Sequence, residues 1–235
     1  MSHPVRILST RPLEAALIGQ AVEKNITIHA LPFISIEPVK DEVLSRRVRS
    51  LGDLALTVVF TSVNAVETVA KMLGAAKAGH WKIFCIGAAT GGMVADHFGL
   101  AAVAGTAHSA SALADEILHQ APVEVFFFCG DQRRDELPDK LSAAGVRVNE
   151  WVVYRTIQTP HRIETSYDGV AFFSPSAVHS FFSVNTLPAT TPLFAIGSTT
   201  ANAIRTYCPN PVITSPSPEQ GRMVQQMIDY FQNNI

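Results

Sequence analysis

Charge is scarce in this chain of 235 residues. Only 16% are Asp, Glu, Lys or Arg, and 18 basic against 20 acidic groups leave a formal net charge of −2. So weak and balanced a field argues against a protein built around nucleic acid or an anionic membrane surface, though it leaves room for local basic patches. Cysteine is scarce too. Cys85, Cys129 and Cys208 stand far apart, with no C-x-x-C and no Cys/His ligand spacing, which argues against a zinc site and a disulfide framework. Cys85 and Cys129 fall inside the apolar runs KIFCIG and VFFFCG, where cysteine acts as a small hydrophobe. No apolar run reaches membrane-spanning length, and the opening MSHPVRILSTRP has no signal-peptide core, so a cytoplasmic protein off the membrane is expected.

Several routes to catalysis are missing as well. No G-x-G-x-x-G follows a strand-like run, and GAATGG is a weak imitation of it. Neither a Walker A Lys-[Ser/Thr] nor a G-x-S-x-G elbow occurs, which disfavours a dinucleotide enzyme, a nucleotide-dependent transferase and a serine hydrolase. The eight histidines are dispersed, and Asp and Glu are almost absent from the ends of the apolar runs. Hard-metal chemistry is disfavoured on that ground.

What the chain has is apolar material, 47% of residues, cut into short lengths. VRILST, LTVVFTS, WKIFCIG, VEVFFFCG, GVAFFSP, PLFAIGS and PVITSP alternate with helix-like stretches such as LEAALIGQAVEKN and GRMVQQMIDYF. Such alternation, with runs apolar on both faces, predicts parallel sheets covered by helices. The order of motifs also repeats. VRILSTRP is echoed by VFFFCGDQRR, FTSVNAV by FSPSAV, IGAATGG by IGSTTAN, and GTAHSASALADEIL by TSPSPEQGRMVQQMI. Four signatures in one order at a nearly constant offset imply an internal duplication, Met1 to about Ala121 and about Pro122 to Ile235.

Two apolar segments, ITIHALPFISIEP and VRVNEWVVYRTIQ, exceed ordinary strand length. A segment of that length can leave one sheet and cross to another domain. The expected architecture is therefore α/β, with two doubly wound parallel-sheet domains (flavodoxin-like halves) joined by a two-stranded antiparallel linker. Residues 1–34 and 160–235 form one domain and 38–150 the other, with linker strands at about 32–38 and 150–159.

In such sheets ligands bind beyond the carboxyl ends of the strands. Those ends read Ser9-Thr10-Arg11, Thr61-Ser62, Gly87-Ala88-Ala89-Thr90, Gly130-Asp131, Ser174-Pro175-Ser176 and Gly197-Ser198-Thr199-Thr200. Each hydroxyl is also a good helix N-cap. Together, turns facing one cleft would offer backbone N–H groups and positive dipole ends to an anion. Arg11 and Arg133 lie just past strand ends, where a guanidinium can grip a carboxylate; Arg133 is equally placed for an ion pair with Asp131 or Asp135. Tyr154, in VVYRT, is either a half-buried strand residue or a phenol presented to the cleft.

The ordered set ILSTRP, PFISIEP, VVFTSVNAVE, IGAAT, GDQRRDELPDKLSAAGVRVNEWVVYRT, FFSPSAVHSF, AIGSTTANAI and SPSPEQG resembles the uroporphyrinogen-III synthase family over essentially the whole chain. The resemblance implies two α/β domains on a two-stranded ladder, one of them built from both chain ends. It also implies cyclisation of the linear tetrapyrrole hydroxymethylbilane to uroporphyrinogen III, with loss of water and inversion of ring D, and no metal or cofactor. The family's tyrosine falls on Tyr154, as the proton donor to the leaving hydroxyl. Its cleft positions map onto Thr61, Ser62, Thr90, Ser174, Ser176, Thr199 and Thr200. We add Thr10, Arg11, Asn64, Gly130, Arg133 and Gly197 from the strand ends as expected substrate contacts. A monomer is expected, receiving its substrate from the preceding pathway enzyme. The competing reading is a two-lobed anion-binding module without catalytic activity.

Overall fold

The computed structural model describes residues 4–74 and 78–233; the outermost residues of the expected first domain, 1–3 and 234–235, lie outside this range. In chain order the elements are β1 (Val5–Ser9), α1 (Ala15–Val22), β2 (Ile26–Ala30), β3 (Ile34–Pro38), α2 (Glu42–Leu51), β4 (Thr57–Phe60), α3 (Val63–Leu73), β5 (Lys82–Ile86) and α4 (Ala88–Phe98). They continue with β6 (Val103–Ala107), α5 (Ala110–His119), β7 (Glu124–Gly130), α6 (Glu136–Ala143), β8 (Arg147–Gln158), β9 (Gly169–Phe172), α7 (Pro175–Phe182), β10 (Leu193–Ala195), α8 (Ser198–Arg205), β11 (Val212–Thr214) and α9 (Gln220–Asn233). The described residues of Met1–Ser35 and Ile157–Ile235 form one compact unit, and those of Ile36–Thr156 a second. Both chain crossings between units, at Ser35/Ile36 and Thr156/Ile157, fall inside the strands β3 and β8.

The first unit holds a five-stranded sheet in the order β11-β10-β9-β1-β2, parallel at every pairing. Numbered within the unit this is 2-1-3-4-5, the flavodoxin-like doubly wound order. Ile7 and Phe194 pack with α1 and α9 on one face, through Ala21, Met223, Val224 and Met227. Leu8, Val170 and Phe172 pack with α7 and α8 on the other, through Val178, Phe181, Ala201 and Ile204. Strands covered on both sides can carry side chains that are apolar at consecutive positions; β9 is buried at every residue.

The second unit holds a six-stranded sheet in the order β3-β8-β7-β4-β5-β6. β4, β5, β6, β7 and β8 pair in parallel, and the edge strand β3 supplies the antiparallel pair with β8. One face carries α2, α3 and α4 over an aromatic cluster. Phe60 and Trp81 each stack near-parallel on Phe128, at ring centroid distances of 5.7 and 5.9 Å, and Trp151 meets Phe128 edge-on at 5.8 Å. The opposite face packs Val59, Phe84, Phe127 and Cys129 against α5 and α6.

Matching β1 to β7, β2 to β8, β4 to β9, β5 to β10 and β6 to β11 turns one sheet order into the other. The covering helices follow the same match: α3 stands for α7, α4 for α8, α5 for α9 and α6 for α1. The duplication read in the sequence is therefore present in the topology, with a βαβ unit of each half completing the sheet of the other. β8 does two things at once. Its first part pairs with β7 from Arg147 onward, so it begins ahead of the linker expected at 150, and its last part leads out of the unit.

Candidate functional site

Local sequence dictates the turns beyond the strands. Ser62, Ser109 and Ser174 each follow a strand with extended backbone, and each accepts the amide N–H three residues on, from Ala65 at 3.3 Å, Ala112 at 3.2 Å and Ala177 at 3.2 Å. These are N-caps of S-x-x-A form. Each satisfies an amide that the first helical turn leaves without a partner. Gly87 and Gly197 open α4 and α8 at equivalent places. Gly87 has φ +79°, a backbone that favours glycine.

In the second unit the ends of β4, β5, β6, β7 and β8 surround a cavity of about 420 Å³. Among the expected residues, Thr61, Ser62, Gly130, Arg133 and Tyr154 line it. Arg134 of the β7–α6 turn lines it as well, and residues not anticipated complete it: His108 and Ser109 from the β6–α5 turn, Gln132 from the β7–α6 turn and Glu136 at the start of α6. The helices α3, α5 and α6 begin at this rim, so backbone N–H groups and positive dipole ends gather there.

Tyr154 is held by Gly130 and Ser62. Its ring lies across Gly130, where an added Cβ would come within 2.5 Å of the ring carbons Cε2 and Cζ. Its phenol oxygen is 3.0 Å from Ser62 Oγ. The Ser62 oxygen already accepts the Ala65 amide, so its own proton is available to the phenol oxygen; in that arrangement the phenol proton points elsewhere. Arg133 forms ion pairs with both Asp135 and Glu150. The Asp135 hydrogen bond raises its pKa further above an already high ordinary value; burial opposes this, and the Glu150 hydrogen bond adds to the rise. Arg133 is thus engaged by Asp135 of the turn, the ion-pair alternative of the sequence reading, and by Glu150 of β8. Cys129 lies beneath the site, and burial first, then Glu150, pushes its thiol up to about 11. It stays protonated near neutrality and offers no nucleophile.

Asn64 sits half-buried in the first turn of α3, and Thr90, in the first turn of α4, is 5% exposed. Thr200 holds the equivalent place in α8 of the first unit at 3%. Thr10 is buried, and its hydroxyl donates to the Ala171 carbonyl at 2.9 Å. Thr10 thus ties β1 to β9, and all three threonines are enclosed by packing. Arg11 is exposed, with its guanidinium over the Phe173 ring at 5.6 Å. Ser174 and Ser176 are partly exposed at the start of α7, and Gly197 and Thr199 open α8. Among the described residues no cluster of three or more His, Cys, Asp or Glu side chains could hold a metal ion, and no helix is long and apolar enough to cross a membrane.

Two doubly wound units exchanged across a duplication, with hydroxyl- and amide-lined turns at the strand ends, define a class of two-unit α/β proteins. Its solved members include a mutant uroporphyrinogen III synthase from the extreme thermophile Thermus thermophilus, which superposes with a TM-score of 0.63 at 19% identity, covering 97% of this chain and 99% of its own. A uroporphyrinogen-III synthetase from Helicobacter pylori superposes at 0.69 with 14% identity, covering 96% and 99%. At such identities these establish the fold. The family model for uroporphyrinogen-III synthase HemD matches residues 15–225. The chain belongs to the uroporphyrinogen-III synthase family.

Proposed function

We propose that this chain cyclises hydroxymethylbilane to uroporphyrinogen III, and that Tyr154 is the proton donor. The observation that carries the assignment to Tyr154 is its phenol, held at 3.0 Å from Ser62 above a glycine and on the wall of the cavity. Loss of water from the terminal hydroxymethyl group forms a conjugated azafulvene, driven by the pyrrole's own electrons. A phenol proton delivered to the departing oxygen assists that step, and the Ser62 hydroxyl steadies the phenolate left behind. The substituted carbon of ring D then attacks to give a spiro intermediate, which fragments and recloses with that ring inverted.

The free bilane cyclises readily without inversion, so the protein's task is orientation. The substrate is a polycarboxylate. In the second unit Thr61, Ser62 and the backbone at Gly130 are the groups that meet its side chains; in the first unit Arg11, Ser174, Ser176, Gly197 and Thr199 stand at the equivalent strand ends. Thr10, Thr90 and Thr200 are buried and meet no substrate directly. We place the protein in the cytoplasm as a monomer, receiving its substrate directly from the enzyme that makes it, because a substrate that closes spontaneously is best passed on promptly. The experiment is to supply freshly prepared hydroxymethylbilane and separate the product isomers. The type III isomer, formed faster than spontaneous closure, is expected. Type I alone at the spontaneous rate overturns the proposal, and binding without turnover favours the anion-binding module.

A further inference from the structure

Tyr154 reaches its place through an irregularity in β8. The β7–β8 ladder pairs Cys129 with Val152 but Gly130 with Tyr154, so Val153 is an extra residue in β8. Side chains alternate faces along a strand, and a slip of one residue exchanges the faces. Trp151 and Val153 point toward the α3 face, where they join Phe60, Phe128, Ala65 and Val66. Cys129 packs on the opposite face, with α5 and α6. Regular alternation would send Tyr154 to the side opposite Val153. The bulge instead returns it to the α3 face, where it too packs on that cluster, above Gly130 and beside Ser62. A bulge that re-aims a side chain is a built feature and needs something to hold it.

We infer that Asp131 is the positioning residue that holds this register and so delivers Tyr154 to Gly130 and Ser62. Asp131 follows the bulge on β7 and grips β8 on both sides of Arg155. Its backbone N–H donates to the Tyr154 carbonyl at 3.2 Å, and its carboxylate Oδ1 accepts the Thr156 N–H at 2.9 Å. The neighbouring Gln132 side chain donates to the Thr156 carbonyl at 3.4 Å. On the other edge of β8, the carbonyl of the extra residue Val153 accepts the Val39 N–H at 2.9 Å. The Asp131 carboxylate is the one side-chain acceptor in this set, and it fastens the strand just past the tyrosine.

The catalytic consequence rests on the role proposed for Tyr154; the positioning claim does not. Two variants separate them, Asp131→Ala, which removes the acceptor, and Asp131→Asn, which keeps an oxygen for the Thr156 amide. The structural readout is the Gly130 Hα resonance, which the tyrosine ring lying against it should displace by its ring current in the native protein. We expect Asp131→Ala to lose most of that displacement and about tenfold in kcat, with KM changed less than about twofold. Asp131→Asn should restore both. Asp131→Ser, whose hydroxyl is too short to reach the amide, should behave as alanine does and serves if the alanine variant fails to fold. A native Gly130 shift in Asp131→Ala, or an asparagine variant as impaired as alanine, overturns the inference. A collapsed shift with unchanged kcat leaves the positioning intact and removes the catalytic role of Tyr154.

Discussion

Replacing Gly130 by alanine is a small change with a calculable effect. The new Cβ would stand 2.5 Å from Tyr154 Cε2 and Cζ and 2.8 Å from the phenol oxygen, whereas nonbonded carbons settle at about 3.5–4.0 Å. The ring must therefore retreat by about 1 Å or more, and the 3.0 Å contact with Ser62 cannot survive that movement unchanged. A misplacement of about 1 Å in a group that must meet a reacting atom costs on the order of a hundredfold in rate. The stability loss should be at the low end of overpacking, about 1 kcal/mol, because the ring is half-buried and borders an open cavity into which it can swing. The assay is the initial rate of type III isomer formation from fresh hydroxymethylbilane, read beside urea unfolding. A variant that folds but turns over about a hundredfold more slowly is expected. A Gly130→Ala protein within about twofold of the native rate would refute the reasoning that the ring must lie where it does.

Other substitutions separate structural from chemical roles. Ser62→Ala removes the α3 cap and the phenol contact together and should lower the unfolding free energy by about 1–3 kcal/mol, measured by urea titration. Phe128→Ala empties the centre of the aromatic cluster and should cost about 3–5 kcal/mol, whereas Val123→Ala, at a side chain 79% exposed, should stay within about 0.5 kcal/mol. Cys85 and Cys129 have thiols raised from 9.0 to about 11, by burial first and then by Glu116 and Glu150 respectively. A raised folded pKa means that the native state holds its proton longer than the unfolded chain. The stability these thiols contribute is complete below pH 9 and is lost as pH rises from 9 toward about 11. Unfolding curves across that range should show the decline, and a Cys85→Ala/Cys129→Ala protein should show a smaller one.

The fold class could be read from the sequence because its signals are local. Runs such as VVF and VAFF are apolar at consecutive positions, which strands covered on both faces allow, and Ser62 and Ser174 announce the helices that follow. Ser109 carries the same signal in TAHSASAL, yet the sequence reading gave it no place in the site, nor the His108 side of the cavity with it. Burial beyond a turn was not readable. Thr10, Thr90 and Thr200 look like the other turn hydroxyls, yet packing encloses them, and that depends on how strands and helices meet rather than on neighbours in the chain. The bulge at Cys129/Gly130 was also silent. VVYRT reads as regular alternation, and the face that Tyr154 takes is decided by hydrogen bonds with Asp131, just past the end of a different strand.

The most direct measurement compares native protein and Tyr154→Phe in a single turnover of hydroxymethylbilane, with isomers resolved over time. The ring remains to fill its place over Gly130, so only the phenol proton and the Ser62 contact are lost. Because the pyrrole itself drives departure of the hydroxyl, the loss should fall near the lower bound for a positioned acid, about a hundredfold, with type I accumulating at the spontaneous rate. Formation of the type III isomer at the native rate would contradict the account.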